Sequence, residues 1–398
     1  MRRVTDDGQW SVAGLDAAWS DYTARIKAAG ETIRGEAFPD DPRLRAEGYR
    51  YINRLTNLAH QIYVEFGDTA RPVLHRYGDD TTPFGATNVD NNLYRANLDP
   101  AGVYRVTGDV TGVKEILFSV QDGEFVFGKT VVLAELSLGD LEVGDDGSLE
   151  LYLGGPERPG NWLALTPDAV YLNVREFVGD WEHDALACLS IERLDDVGPL
   201  GALTTGALAG ALDRAATWVE ASVRVWNEFG AMLQEVTSVN EFPPPRWAEG
   251  GADNMVHAAA QWGLEPGQAL LIELDQPHAT YWSVQNYVLE WLQPLDFTNR
   301  VTSLNDGQIR VDDDGRVRLV LSHGDPGVQN WLDTSGLRRG MVNVRFVRPT
   351  NAPAPVARVV DLADVREHLP ASTPAFSPAE RQAQIAARRR GVARRFRR

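Results

Sequence analysis

The sequence predicts an α+β protein built from two duplicated antiparallel modules, each a β-sandwich or jelly-roll-like structure, with helices at the N-terminus and between the modules. Three observations support this prediction: an internal repeat, strand-like alternation within each copy, and helical spacing of apolar residues outside the copies. A chain of 398 residues with 43% hydrophobic residues has enough apolar side chains for one large or two intimate domains.

The internal repeat is clearest between residues 145–177 and 312–347. The offset between the copies changes only from 168 to 170 residues, so two single-residue insertions are enough to align them. The matching triplets are Asn161-Trp162-Leu163 with Asn330-Trp331-Leu332, and Asn173-Val174-Arg175 with Asn343-Val344-Arg345. Because the match extends upstream, the second module (264–350) is predicted to repeat residues 98–177.

Helical spacing of apolar residues predicts helices over 10–34, 44–66 and 203–236, a helical turn or two within 251–263, and a last helix over 379–390. Alternation and turn residues predict strands at Val103–Thr107, Glu115–Val120, Phe125–Val132, Leu149–Leu153 and Val170–Arg175, then at Gln268–Leu274, Thr280–Tyr287, Gln308–Val311, Arg316–Leu321 and Met341–Val347. The predicted segments are N-terminal helices and a polar loop (1–97), the first β module (98–200), a helical connector (201–263), the second β module (264–350), and a linker, helix and Arg-rich tail (351–398).

The segment 68–97 reads as a long irregular loop, and loops of this length are often functional. It concentrates polar side chains that could line a pocket, among them Asp90, Asn91, Asn92 and Arg95. The alternative is that its Asn and Asp residues form turns and cap neighbouring strands.

The net charge of −17 conceals an asymmetry, because residues 381–398 contain eight Arg and no acid. The acidic remainder disfavours nucleic acid as its main partner. The Arg-rich tail has several interpretations: it could bind nucleic acid or an anionic membrane surface, dock on a neighbouring copy in a homo-oligomer, or stay solvated.

The chain has no apolar run approaching the about 20 residues of a membrane helix, and its N-terminus has no apolar signal region. Its single cysteine, Cys188, excludes an internal disulfide framework and lies in an apolar run, where a buried thiol is expected. A cytoplasmic protein without a transmembrane segment is the simplest expectation.

Several stretches resemble the bacterial domain-of-unknown-function family 1214. They are DNNLYR, VREFVGDWEHD, YWSVQNY, TSLNDGQIRVDDDGRVRLVLS and DPGVQNWLDTSG, and the similarity is strongest over 280–347. The resemblance implies a β-sandwich or jelly-roll-like fold. It implies no particular activity, because the family has no general function assigned.

The densest cluster of titratable groups contains Asp180, Glu182 and His183. A carboxylate beside a histidine suits general acid–base chemistry, since each group tunes the pKa of the other. The same side chains could bind a divalent metal, but no spaced ligand motif accompanies them, and no metal site is predicted. Surface or inter-element salt bridges are the alternative.

A second group of candidate catalytic residues is specific to the second copy of the repeat: His323, Asp325 and Asp333. Together with Asn330 they could converge at one end of a sandwich, although the HGDPG sequence also suits an ordinary turn. Candidate ligand-binding residues are Trp181, Trp282 and Trp331 as pocket walls, and Arg175 and Arg345, which could hold equivalent carboxylates or carbonyls in the two modules.

Two functional hypotheses follow, and the sequence does not decide whether the protein is an enzyme. One is a hydrolase or lyase acting on a small organic substrate in a pocket between the β modules, with its cofactor, if any, unknown. The other is a non-catalytic ligand-binding or assembly protein whose basic C-terminal tail recruits a partner. Convergent Asp, His and Arg side chains in an enclosed pocket would favour the first.

Overall fold

The computed structural model describes residues 11–35, 38–129, 131–199, 201–247 and 255–397. It contains helices and four mostly antiparallel sheets in two similar modules, which confirms the predicted α+β class. The chain divides into two compact units, one formed by residues 1–82, 93–176 and 186–226 and the other by 83–92, 177–185 and 227–398. Residues 83–92 and 177–185 are therefore two short insertions that belong to the second unit.

The N-terminal helices are α1 (Val12–Glu31) and α2 (Pro42–His60). Ser11 caps α1 by accepting the N–H of Gly14 at 3.2 Å, and the side chain of Asp41 caps α2, which begins with proline at a position where no N–H is needed. A π-helical turn, Gln61–Glu65, extends α2. These helices confirm the expectation for the N-terminal region, except that residue 10 lies outside the described residues.

The first unit carries β1 (His75–Arg76), most of β2 (Asn91–Asn97), β3 (Tyr104–Asp109), β4 (Glu115–Gln121), β5 (Val132–Ser137), β6 (Ser148–Leu153), β7 (Trp162–Leu163), most of β8 (Tyr171–Phe177) and β9 (Cys188–Arg193). They form one sheet of order β1-β2-β8-β4-β5 and another of order β7-β6-β3-β9. Buried apolar residues from both sheets, such as Phe118, Val174, Val106 and Leu151, make one core cluster. The long helix α3 (Thr205–Val236) follows.

The second unit carries β10 (Arg246–Trp247), β11 (Met255–Gly263), β12 (Gln268–Asp275), β13 (Tyr281–Tyr287), β14 (Ser303–Asn305), β15 (Arg316–Ser322), β16 (Trp331–Asp333), β17 (Arg339–Val347) and β18 (Val356–Asp361), then helix α4 (Pro378–Phe396). Its sheets have the orders β10-β11-β17-β13-β14 and β16-β15-β12-β18. Each order repeats that of the first unit strand for strand, so the duplication inferred from the sequence is a duplication of topology.

Four local predictions were wrong. The described part of the segment 251–263 is not helical: 255–263 is strand β11, whose Val256, Ala258 and Ala260 are buried in alternation, and 251–254 lie outside the described residues. The supposed loop 68–97 contains β1 and β2. No strand covers 308–311, and the predicted strand at 125–132 is a 3₁₀ turn, Phe125–Phe127, before β5.

Cys188 corrects another expectation, because it is exposed rather than buried. It begins β9, an edge strand along which exposed and half-buried residues alternate. An apolar run on an edge strand needs only one face against the core, and Cys188 lies on the other face. None of the described helices is long and apolar enough to cross a membrane.

Candidate functional site

The candidate site lies in the second unit, around the segment 177–185. Asp90 forms its buried base: this carboxylate is 0% exposed and accepts four side-chain hydrogen bonds. The donors are the Tyr281 O–H at 2.5 Å, Trp181 Nε1–H at 2.7 Å, Asn305 Nδ2–H at 3.0 Å and Gln285 Nε2–H at 3.1 Å. Such a set of donors stabilises a buried negative charge.

The donors come from elements whose geometry aims them at Asp90. Tyr281 and Gln285 lie on β13 four residues apart, so strand alternation places both on one face of the sheet. Asn305 ends β14 and also donates to the carbonyl of Gly179 at 2.9 Å. Burial, and then the charge of Asp90, raise the pKa of Tyr281 well above its ordinary value, so its hydroxyl remains a donor.

Trp181 connects the hydrogen bonds around Asp90 with helix α4. Its side chain is 3% exposed, and the guanidinium carbons of Arg388 and Arg395 lie 4.5 Å and 4.8 Å from its ring centroid. Arg388 also donates to the carbonyls of Phe297 and Ser303, both at 2.9 Å. Burial lowers the pKa of Arg388 to about 10, which leaves the group charged at neutral pH.

The arginines of α4 follow the helical period. Arg381, Arg388 and Arg395 are seven residues apart, close to two turns of helix, and all three are buried. Arg381 pairs with Asp325 at 3.0 Å, and Arg395 donates to Asn92 Oδ1 and to the Val89 carbonyl, both at 3.0 Å. These three arginines all bind within their own unit.

A cleft of about 590 Å³, part of it open to solvent, lies against Trp181. The buried side chains of Trp181 and Arg388 form its floor. Its other lining residues are Gly179, Asp180, Glu182, Gly307, Gln308, Gln384 and Ala387. The cleft therefore combines an aromatic surface with carboxylates, amides and exposed backbone, which suits a small polar organic molecule.

Asp180, which lines the cleft, forms a side-chain pair with His183, which is not one of the lining residues. His183 Nδ1 lies 2.9 Å from Asp180 Oδ2, while Asp180 Oδ1 accepts the backbone N–H of Glu182 at 2.9 Å. Burial would raise the pKa of Asp180, but the hydrogen bonds from His183 and Glu182 outweigh it and lower the pKa below its ordinary value. Asp184 fixes the turn by accepting the N–H groups of Gly179 and Asp180 at 2.7 Å and 2.9 Å.

Other predicted catalytic residues have separate partners. Glu182 binds Arg390 Nε at 2.6 Å. His323 contacts Thr334 Oγ1 at 2.8 Å and the Leu264 carbonyl at 3.2 Å. Asp325 pairs with Arg381 as above, and Asp333 pairs with Arg300 at 2.8 Å. These separate contacts explain the position of each side chain. The predicted convergence of His323, Asp325 and Asp333 stays a prediction.

The repeated Asn has the same contacts in both copies, and the Trp that follows it donates to a different kind of acceptor in each. Asn330 Nδ2 donates to the carbonyls of Arg310 and Arg318 at 2.7 Å and 2.9 Å, as Asn161 does to those of Glu142 and Glu150. The indole of Trp331 donates to Ser322 Oγ at 3.0 Å, and that of Trp162 to the Gly154 carbonyl at 3.0 Å. The repeated contacts of the Asn explain why it recurs.

The remaining predicted ligand-binding residues are largely buried. Trp282 and Asn91 are 5% and 6% exposed, and Arg345 Nη2 donates to the Ala86 carbonyl at 2.9 Å. In the first unit Arg95 pairs with Glu124, whereas the Nη1 of Arg175 is buried without a hydrogen-bond partner in the described chain. Within the described residues no group of three His, Cys, Asp or Glu side chains is placed to hold a metal ion.

Sequence reasoning missed the residues that organise the site: Tyr281, Gln285, Asn305, Gln308, Gln384 and Arg388. The spacing of the arginines by seven was a visible signal for Arg388, since a helix with such a row presents one cationic face. The donors to Asp90 lie 91, 191, 195 and 215 residues from it in the chain, so no local pattern could have connected them.

Comparison with known proteins gives a family but no activity. A model of the family described as protein of unknown function (DUF1214) matches residues 259–351. No curated protein matches the chain. The crystal structure of an uncharacterised protein from Burkholderia cenocepacia is 34% identical, with a TM-score of 0.81, over 89% of this chain and 99% of the other.

A second solved structure, of a protein from Vibrio parahaemolyticus, is 13% identical over 78% of this chain and 98% of the other, with a TM-score of 0.44. That score is too low to establish a shared fold. The Burkholderia relative, by contrast, is matched over nearly its whole length, and the residues 259–351 recognised by the family model include most of β11 and all of β12 to β17. This chain belongs to the DUF1214 family of proteins of unknown function.

Proposed function

We propose that the protein binds a small organic molecule in the cleft of the second unit and acts on it by general acid–base chemistry, as a hydrolase or a lyase. The observation that carries the proposal is the Asp180–His183 pair, 2.9 Å apart, of which Asp180 lines a cleft whose floor is Trp181 and Arg388. An orienting carboxylate, a histidine and a ligand-sized space are the parts that such chemistry needs.

The pair suits proton transfer because each member has a defined task. With Nδ1–H of His183 donated to Asp180, the Nε2 of the ring becomes the acceptor that can take a proton from a substrate or from water. Their side chains are 78% and 55% exposed, so both are accessible to a molecule arriving from solvent. Asp180 stays ionised at neutral pH and favours the imidazolium that forms during the reaction.

The lining indicates a neutral, polar substrate with an apolar part. Gln308 and Gln384 supply amide donors and acceptors, and the Trp181 ring supplies an apolar contact. Glu182 is already neutralised by Arg390, and the buried Arg388 donates to backbone carbonyls. Neither Glu182 nor Arg388 therefore requires an opposite charge on the substrate.

The test begins with native mass spectrometry of the purified full chain, followed by extraction and identification of any bound molecule. The extracted molecule is then incubated with wild-type protein, and its conversion is followed by liquid chromatography and mass spectrometry. We expect His183→Ala to lower the conversion rate about 100-fold or more and Asp180→Asn to lower it less, since the second change leaves the imidazole in place. His278→Ala, which removes an exposed histidine elsewhere in the unit, is the matched control.

Equal conversion by wild type and His183→Ala would contradict the proposal. So would an empty protein that exists only as a defined oligomer and dissociates when residues 378–397 are removed, because that result supports the alternative of an assembly protein.

A further inference from the structure

The first unit contains a half-buried arginine, Arg175, for which the described residues show no ion pair. Arg175 lies on β8, the central strand of its five-stranded sheet. Its Nη1 is buried and has no hydrogen-bond partner anywhere in the described chain. Leaving a guanidinium donor both desolvated and unpaired is unfavourable, which makes an oxygen ligand at this position favourable.

Two phenols and an amide lie near this guanidinium. The charge of Arg175 lowers the pKa of both Tyr77 and Tyr171, while burial, the larger effect, raises the pKa of Tyr77 to about 12 and that of Tyr171 further. Both hydroxyls therefore remain protonated at neutral pH. Asn173 lies two residues before Arg175 on β8, so both side chains are on the same face of the sheet. Tyr77 donates to Asn173 Oδ1 at 2.6 Å and holds that amide in place.

The surrounding charges do not neutralise Arg175. The nearby acid, Glu124, forms a buried ion pair with Arg95, whose guanidinium carbon lies 3.8 Å from the centroid of the Tyr171 ring. His75, opposite Arg95 on β1, is 5% exposed, and neither of its ring nitrogens has a hydrogen-bond partner in the described chain. Burial and the charge of Arg95 lower the pKa of His75 to about 4, so it adds no charge at neutral pH.

The duplicated module shows which kind of group such an arginine binds. Arg345, the counterpart of Arg175 in the repeat, donates from Nη2 to the backbone carbonyl of Ala86 at 2.9 Å in the second unit. The second copy thus places an oxygen of its own chain against the arginine. The Nη1 atoms of Arg175 and Arg345 are alike, because both are buried without a hydrogen-bond partner among the described residues. The copies differ in the Ala86 carbonyl that Nη2 of Arg345 binds.

We propose that the first unit binds a small organic monocarboxylate through Arg175, with the phenols of Tyr77 and Tyr171 beside it. The planar guanidinium matches a carboxylate, and one uncompensated positive charge matches one negative charge. The aromatic neighbours favour a ligand with an apolar or aromatic body. A phosphate dianion would leave surplus negative charge in a buried place. This site is separate from the cleft of the second unit and does not depend on the activity proposed there.

The test is isothermal titration calorimetry of the full chain at pH 7 with acetate, butyrate and benzoate, and with benzamide and inorganic phosphate for comparison. We expect benzoate to bind at least tenfold more tightly than benzamide, which has the same shape without the charge, and than phosphate. Arg175→Gln should weaken benzoate binding at least tenfold. Arg105→Gln is the matched control, because Arg105 lies in the same unit and already pairs with Glu150 and Glu192.

Several outcomes would overturn the proposal. They are equal affinities for benzoate and benzamide, undiminished binding by a folded Arg175→Gln variant, or the absence of binding by all three carboxylates below about 10 mM. If Arg175→Gln does not fold, Arg175→Lys keeps the charge and removes the planar fork, and it should still weaken benzoate binding. The comparison of benzoate with benzamide on the wild-type protein decides the question without any variant.

Discussion

The indole N–H of Trp181 donates to the carboxylate of Asp90 at 2.7 Å, although 91 positions separate the two residues. Asp90 was expected to contact a ligand directly, but it is completely buried, and its contact with the cleft runs through Trp181. The carboxylate therefore acts as a positioning group. It holds the ring that forms the floor of the cleft and against which Arg388 lies.

Asp90→Ala should destabilise the protein by about 3 kcal/mol or more, because four buried donors lose their acceptor together. Asp90→Asn should be less destabilising, since one oxygen acceptor remains. Urea unfolding followed by circular dichroism measures both changes. Asp313→Ala, which removes a carboxylate that is 74% exposed, is the control and should change stability by less than about 0.5 kcal/mol. Equal unfolding midpoints for Asp90→Ala and wild type would show that the network contributes nothing.

The fold was largely predictable from the sequence because the duplication provides two sequences for each element of the module. Matching Asn-Trp-Leu triplets identify both copies, and the equivalent hydrogen bonds of Asn161 and Asn330 to backbone carbonyls show that the match reflects backbone requirements. Errors occurred where one local pattern suits two structures. Residues 255–263 contain three consecutive alanines, which favour a helix by propensity, yet pairing with β17 makes them a strand.

The site was less predictable, and the reason is physical. Asp180 and His183 are close in sequence, so their pairing could be inferred from the chain alone. Tyr281 and Asn305 contribute to the site only through long-range strand pairing, and a sequence carries no local signal for such contacts. The sequence predicts an Arg-rich tail at α4 because charged side chains usually face solvent. The regular spacing of these arginines was the evidence for a buried face.

Arg388→Ala should destabilise the second unit by about 3 kcal/mol. The substitution removes two hydrogen bonds to buried carbonyls and the cation–π contact with Trp181, and the carbonyls of Phe297 and Ser303 are left without these donors. Arg389→Ala is a matched control one residue away, because Arg389 is exposed and its Nε donates to Asn299 Oδ1. Differential scanning calorimetry should separate the two variants by several degrees. Similar melting temperatures would mean that α4 is not held by its buried arginines.

The stability of the protein should fall between pH 6.5 and pH 4 in part because of His75. The unfolded chain takes up a proton at this residue near pH 6.5, whereas burial and the charge of Arg95 delay uptake by the folded chain until about pH 4. The unfolded state therefore binds more protons across this window, and acid favours it. The contribution of His75 to the free energy of unfolding is fully present above pH 6.5, and it decreases by up to about 3 kcal/mol on acidification.

His75→Gln should flatten the dependence of the unfolding free energy on pH across this window. Urea unfolding at pH 4.5, 5.5 and 7 measures it, and a dependence identical to that of wild type would exclude His75 as a contributor. His257 provides a parallel test, because burial, with the charge of Arg345, lowers its pKa to about 3. His257→Gln should also flatten the dependence, and the double variant should flatten it further.

Gly391 tests whether the close approach of α4 to Trp181 matters. A Cβ atom added at Gly391 would lie 2.5 Å from the Cβ of Trp181 and 3.3 Å from its carbonyl carbon, so a methyl group cannot enter without moving the helix or the 177–185 segment. Glycine is otherwise a poor residue for a helix interior, less favourable than alanine by about 1 kcal/mol. The close contact explains its presence here.

Gly391→Ala should therefore destabilise the protein in spite of the better helix propensity of alanine, by about 1–3 kcal/mol. It should also weaken ligand binding in the cleft, because displacing α4 moves Arg388 and Gln384 away from Trp181. Gly30→Ala is the control: Gly30 also lies in a helix, but its added Cβ would meet nothing within 4 Å, so stability should rise by up to about 1 kcal/mol. Opposite signs for the two Gly→Ala changes in urea unfolding support the contact, and equal stabilisation by both would exclude it.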